Sequence, residues 1–316
     1  MNTVALASLS AALILGAATL AAPVGPVAPA ASPVSAPAVS KLPSGAPRHP
    51  QALDAEQIMQ EFTAKLGEML EKGRLTPIQE LREQLQRPQC ELKLPAVPAA
   101  TLSQQELYKR ACKSVVIVGN VAMMPCKDKS CSRLHPRINP ATGYLISASG
   151  VMVTNYHVMA DKGAHGVAVR DYEGKVFAVK EILAANADQD IAIVQLEGSG
   201  FTPLPLGEDE EVGSPVFIVG HPDCKPYILS SGMITSYPIM RKSRDSQKAQ
   251  MMFVSSEFCG GSSGSPVLSD KGEVIGMVSS LIPVVKPSSD GSMMVQQLML
   301  RTCPPVSSIR AMIKFK

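Results

Sequence analysis

The 316-residue chain lacks an excess of either charge: 30 Lys and Arg stand against 27 Asp and Glu, a formal net charge of +3. That balance excludes the concentrated basic footprint of a nucleic-acid binder, so no nucleic-acid partner is expected. The densest basic patch, Arg241, Lys242, Arg244 and Lys248, is interrupted by Ser243, Asp245 and Ser246 and reads as a solvated loop. A second long apolar run is also missing, and after residues 4–22 nothing offers a transmembrane span. Metal-ligand spacing is scarce. Cys126 and Cys131 form one C-x4-C with His135 nearby, but no second ligand pair accompanies them, so no metal is expected. The same two cysteines could close a short hairpin. With 45% apolar residues the chain is neither disordered nor fibrous, and its length allows one large domain, or two modest ones, plus tails.

What is present begins with residues 4–22, an uncharged run rich in Ala and Leu that leads into Ala21-Ala22-Pro23. This has the apolar core and small-residue cleavage region of an export signal, which implies a secreted or periplasmic protein. No Lys or Arg precedes the run, so an uncleaved membrane anchor or an organelle transit peptide stays open as the alternative. All seven cysteines lie beyond it, which suits an oxidising compartment and leaves one unpaired. Residues 23–51 are rich in Pro and Ala and read as an extended, disordered linker.

Residues 52–98 read as a helical segment. Asp54 and Gln57 have capping-box spacing, and Ile58, Phe62, Leu66, Met69 and Leu70 recur at helical spacing up to Gly73. A second helix starts at Thr76-Pro77 and stops at Pro88. Such a pair is too small to be stable alone. Its apolar stripe must pack on the main domain, join a second copy in a homo-oligomer, or cover the active site as a pro-segment.

A short helix capped by Ser103 and Glu106 follows, and then the pattern changes to short β-branched runs separated by Gly, Pro, Asn and Asp. Ten such runs from Tyr144–Ser147 to Val295–Leu300, with Val151–Thr154 and Ile191–Leu196 among them, predict an all-β domain built as barrels or a sandwich. Val306–Lys314 returns to helical spacing and predicts a carboxy-terminal helix.

The chemistry centres on Cys259-Gly260-Gly261-Ser262-Ser263-Gly264-Ser265-Pro266. So many glycines let backbone N–H groups converge and keep Ser263 uncrowded, which a hydroxyl nucleophile needs. The amides of Gly261 and Ser263 are the candidate oxyanion donors. A serine hydroxyl needs a base and the base needs an orienting group. His157 ends the apolar run from Val151 and is the candidate base, whereas His49 lies in the linker and His135, His165 and His221 sit in turn-like contexts. Asp190 precedes an apolar strand, where a buried carboxylate wants an imidazole N–H, and Asp188 is held in reserve.

The chain order His157, Asp190, Ser263 is one of three in which this triad occurs. Together with Thr154-Asn-Tyr-His157-Val, Asp190-Ile-Ala-Ile, Gly220-His-Pro222, Ser231-Gly232-Met-Ile-Thr-Ser and Gly261-Ser-Ser263-Gly-Ser-Pro266, it resembles the trypsin-like serine proteases, in particular their high-temperature-requirement branch. The resemblance covers roughly residues 104–315. It implies a chymotrypsin-like domain over 99–316, made of two six-stranded antiparallel β-barrels with the triad between them and a boundary near Pro203–Gly213. It implies a serine endopeptidase acting on protein or peptide substrates without a cofactor, with a catalytically silent, protein-binding relative as the alternative. Two departures stand out. No peptide-binding PDZ domain follows, and Ser262 stands where trypsin has the aspartate that pairs with a freed amino terminus, so the helical segment is expected to hang outside the fold. By the same resemblance Glu257, six residues before Ser263, falls at the base of the substrate pocket and invites Arg or Lys; the alternatives are a preference for small apolar residues, as in the high-temperature-requirement branch, with Ser279 and Ser280–Ser292 forming the other wall, and a Glu257 turned to solvent.

Overall fold

In a computed structural model the described residues are 49, 51–94, 100–126, 133–241, 246–288 and 294–316. The export run at 4–22, nearly all of the 23–51 linker, the Cys131 end of the C-x4-C hairpin and the middle of the Arg241–Lys248 patch lie outside them. In chain order the elements are α1 (Ala55–Glu71), α2 (Ile78–Gln84), β1 (Cys90–Leu92), α3 (Gln104–Cys112), β2 (Val115–Pro125), β3 (Leu134–Leu145), β4 (Val151–Thr154), α4 (Tyr156–Met159), β5 (Gly166–Arg170), β6 (Val176–Asn186) and β7 (Ile191–Leu196). After these come β8 (Pro215–Gly220), β9 (Ile228–Ser236), β10 (Ile239–Arg241), β11 (Lys248–Gln250), β12 (Met252–Val254), β13 (Pro266–Leu268), β14 (Val274–Met277), β15 (Ser280–Pro287), β16 (Met294–Cys303), α5 (Val306–Arg310) and β17 (Ile313–Phe315).

Strands β2 to β7 close into a barrel in the order β2-β3-β4-β7-β6-β5. The start of β2 reads Val-Val-Ile-Val without polar alternation because both its faces are covered. Val116 and Val118 point into the barrel core, while Ile117 and Val121 lie under α1 against Phe62 and Leu66. Gly119 permits that approach, since a Cβ there would stand 2.7 Å from the Phe62 ring. Helix α1 therefore packs on β2, β3 and β5, and α2 on β6. The helical segment does not hang outside the fold: its stripe is spent on the barrel wall, which also removes the motive for self-association through that face.

Local capping explains the helix boundaries. Asp54 accepts from the Gln57 amide at 3.0 Å, but the Gln57 side chain turns to Glu61, so only half of the capping box forms. Thr76 is not a cap at all, because its hydroxyl donates to Val179 O at 2.7 Å and Pro77 takes the cap position. Ser103 and Glu106 make the full box.

The second half forms a seven-stranded sheet, ordered β14-β13-β8-β9-β12-β16-β15, that leaves β14 and β15 as edges instead of closing as a second six-stranded barrel. Pro283 and Pro287 remove donors from β15 and suit it to an edge. The carboxy-terminal helix is also shorter than its apolar spacing predicts. It stops at Arg310, and β17 pairs in parallel with β1, aligning Cys90 with Ile313. Val306 is buried, and Ile309, Met312 and Ile313 enter the core shared by both halves with Leu107, Tyr144, Phe217 and Leu268, so burial is satisfied without a continuous helix.

Candidate active site

The sequence places His157 at a strand end; the chain in fact turns after β4 and His157 is the second residue of a short helix, α4. Asp190 reaches it from the corner between β6 and β7, where the backbone adopts φ 59°. Its carboxylate is fully buried and takes the His157 main-chain N–H at 3.0 Å. His157 Nδ1 lies 3.0 Å from Oδ1 and 2.9 Å from Oδ2. An ionised carboxylate only accepts, so the contact fixes the proton on Nδ1 and leaves the Nε2 lone pair able to accept a proton. Asn155 Nδ2 holds the Asp190 carbonyl at 2.9 Å. Asp188, the reserve acid, instead accepts from the Gln247 amide.

Ser279, expected on a pocket wall, stands beside the acid. Its buried hydroxyl donates to Asp190 Oδ2 at 2.6 Å, a further donor to a carboxylate that is fully buried. Nothing local to Ser279 signals this role, which arises from the sheet that brings residue 279 to residue 190.

Ser263 and His157 line one cleft of about 200 Å³ with Gly261, Asn120, Asn139 and Asp161. No hydrogen bond joins the two among the described residues, and such catalytic contacts tighten when substrate enters. The turn is held from both halves. From β3, the Thr142 amide donates to Ser263 O at 2.8 Å and its hydroxyl to Gly261 O at 2.9 Å. From the loop after β8, the Asp223 amide donates to Gly260 O at 2.7 Å. In a trans peptide the carbonyl and the following N–H point in opposite directions, so anchoring Gly260 O on Asp223 aims the Gly261 N–H away from that loop. Among the described residues neither the Gly261 nor the Ser263 amide donates to a protein acceptor, the condition for receiving an oxyanion.

Two glycines are dictated by contact. At Gly261 (φ 92°) a Cβ would collide with the His221 carbonyl oxygen, and at Gly264 (φ 86°) with that of Thr142. His221, which the sequence sets in a turn-like context within Gly220-His-Pro222, is fully buried beneath this turn, and its Nδ1 accepts from the Tyr227 amide at 3.1 Å. Burial pushes its pKa down to about 3, so it is a neutral structural group.

Glu257 is not buried at a pocket base. Its side chain is 80% exposed and Oε1 pairs with Arg301 Nη2 at 2.6 Å, while its carbonyl accepts from Ser230 Oγ. The chain's own Arg301, which the sequence reading missed, already occupies the place of the expected substrate cation. The described cysteines Cys90, Cys112, Cys126, Cys224, Cys259 and Cys303 are free thiols.

Residues 141–277 match the trypsin-like peptidase domain. Curated relatives include a probable periplasmic serine endoprotease DegP-like of Ectopseudomonas mendocina, 30% identical over 145 residues, covering 44% of this chain and 29% of that protein. The mitochondrial serine protease HTRA2 of Bos taurus is 29% identical over 145 residues, covering 44% and 31%. The chain thus spans less than a third of the length of these relatives. Among solved structures, the HtrA-type protease AlgW with decapeptide superposes with a TM-score of 0.54 at 15% identity, covering 67% of this chain and 66% of the other. The active form of the Rv3671c protease from M. tuberculosis gives 0.50 at 18%, covering 70% and 90%. Residues 141–277 therefore carry the match to a trypsin-like peptidase domain, the same part of the fold that forms most of the cleft, and the chain is similar there to DegP-like and HTRA2 proteases.

Proposed function

We propose that the protein is a serine endopeptidase that hydrolyses peptide bonds of protein substrates through His157, Asp190 and Ser263. The observation that carries this reading is the buried Asp190 carboxylate locked on His157 Nδ1, which leaves Nε2 as the base in the cleft that Ser263 also lines. His157 Nε2 takes the Ser263 proton as Oγ attacks the scissile carbonyl, and Asp190 stabilises the imidazolium. The amides of Gly261 and Ser263 hold the tetrahedral oxyanion. The imidazolium then protonates the departing amine, and a water activated by the same nitrogen resolves the acyl-enzyme. No cofactor takes part. Export is supported by the leader-like run at 4–22 and by relatives named as periplasmic.

Labelling with a fluorophosphonate tests the proposal, because only an assembled base, nucleophile and oxyanion site reacts quickly. Ser263→Ala is expected to abolish labelling and to lower kcat by several orders of magnitude while substrate still binds. Undiminished peptidase activity in that variant would refute the assignment.

A further inference from the structure

Arg301 is a charged residue on a core-facing side of a sheet. Residues directly opposite one another in an antiparallel pair share a face, as do residues two apart along a strand. The register sets Arg301 opposite both Val254 and Leu281, and sets Cys303 opposite Met252. Met252 and Cys303 are fully buried, so Arg301 stands where that core face runs out to the rim. Only 17% of its side chain is exposed. Its buried Nε has no partner among the described residues, and Nη1 has only a long contact to Met299 O at 3.4 Å. The remaining partner is the solvated Glu257 carboxylate.

This guanidinium is tied to the segments that carry the reacting residues. Glu257 opens the turn that ends at Ser263, and Ser279, bound to Asp190, donates its amide at 3.0 Å to Thr302, the neighbour of Arg301. The second sheet forms this side of the nucleophile, while the first barrel forms the other with Asn120, Asn139 and Asp161. An extended substrate gains main-chain partners by lying along the free edge strand β15, so its acyl half lies on the Arg301 side.

Resting on the endopeptidase reading, we infer that Arg301 makes the subsite for the residue immediately before the scissile bond selective for Asp and Glu. A carboxylate entering there meets a largely desolvated guanidinium whose terminal nitrogens are held only by an exposed carboxylate and a long contact to Met299 O. Glu257 is a weak competitor, because an exposed carboxylate gains little from the pair and returns to water readily. The selectivity is the reverse of the Arg and Lys preference suggested by Glu257 in sequence.

The test uses the full chain and peptides differing only in Glu or Gln before the scissile bond. The readout is the ratio of their kcat/KM values, which cancels any general loss of activity. The wild type should favour Glu by about 10-fold or more, Arg301→Gln should bring the ratio to about 1, and Arg301→Lys should keep part of it. Glu257→Gln, which removes the competitor, should raise it. Fluorophosphonate labelling of each variant reports whether the site has folded. A ratio near or below 1 in a labelled wild type, or a ratio that Arg301→Gln leaves unchanged, overturns the inference while the endopeptidase reading stands. A wild type that does not label at Ser263 overturns both.

Discussion

Gly261→Ala is the most discriminating perturbation of the oxyanion turn. At φ 92° an L-residue is strained by about 1–2 kcal/mol. The new Cβ would also collide with the His221 carbonyl oxygen, a main-chain atom that no rotamer change can move aside. The least costly relief is to turn over the Gly260–Gly261 peptide. That breaks the 2.7 Å bond from the Asp223 amide, worth about 1 kcal/mol, and swings the Gly261 N–H out of the oxyanion site. Losing one such donor costs about 2.7–4 kcal/mol in the transition state, so kcat should fall by roughly 10²–10³-fold. Because the donor acts on charge that develops only in the transition state, kcat and kcat/KM should fall together with KM little changed. Gly260→Ala is the matched control: a Cβ there meets nothing within 4 Å, and activity should stay within about 3-fold. Steady-state kinetics on a peptide with an uncharged residue before the scissile bond measures both. A Gly261→Ala enzyme with kcat close to wild type, or a loss confined to KM, would refute the oxyanion assignment.

Ser279→Ala removes a hydrogen bond to a buried carboxylate, worth about 1.5–3 kcal/mol, and should lower kcat/KM by roughly 10–100-fold without abolishing turnover; an unaffected enzyme would mean the bond orients nothing. Stability should depend on pH through His221. With its folded pKa lowered by burial to about 3 from the ordinary 6.5, the unfolded chain binds a proton that the folded one refuses. The contribution is therefore intact above pH 6.5 and lost as pH falls toward 3, at no more than about 1.4 kcal/mol per pH unit. Urea unfolding between those limits should show that slope, His221→Gln should flatten it, and an equal slope in both proteins would remove His221 as its source. Phe62→Ala, which empties a site 1% exposed between α1 and the barrel, should destabilise the fold by about 3–5 kcal/mol; an unchanged Tm would show that α1 is not docked.

How far the sequence could be read depends on the range of the interactions. His157, Asp190 and Ser263 each sit beside an apolar strand or a glycine turn that can be recognised within about ten residues, and the Ser103 capping box is as local. Ser279 and Arg301 could not be read this way. Their roles arise from the register that sets Ser280 opposite Thr302 and Leu281 opposite Arg301, and from a sheet that brings residue 279 to residue 190. A one-residue slip in that ladder would turn Arg301 to the other face. The docking of α1 was open for the same reason: the stripe of Phe62 and Leu66 demanded a partner, but only the fold supplies Ile117, Val121 and the space over Gly119. The Val306–Lys314 pattern misled because burial of Ile309 and Met312 suits either a helix or a turn, and the parallel pairing with Cys90–Leu92 decided between them.

The same long-range logic governs the site as a unit. The turn bearing Ser263 is fastened by Thr142 from the barrel and by Asp223 from the sheet, while Asp190 from the barrel is completed by Ser279 from the sheet. Asp223 and Cys224 both hold positive φ without being glycine, at 47° and 59°, a strain that persists only where surrounding contacts impose it. The proposed nucleophile, base and oxyanion donors therefore depend for their register on the core of Leu107, Tyr144, Phe217 and Leu268 that the two halves share. A substitution there that loosens the shared core should lower kcat before it unfolds either half, because the alignment depends on the weakest of these cross-connections and the strands do not.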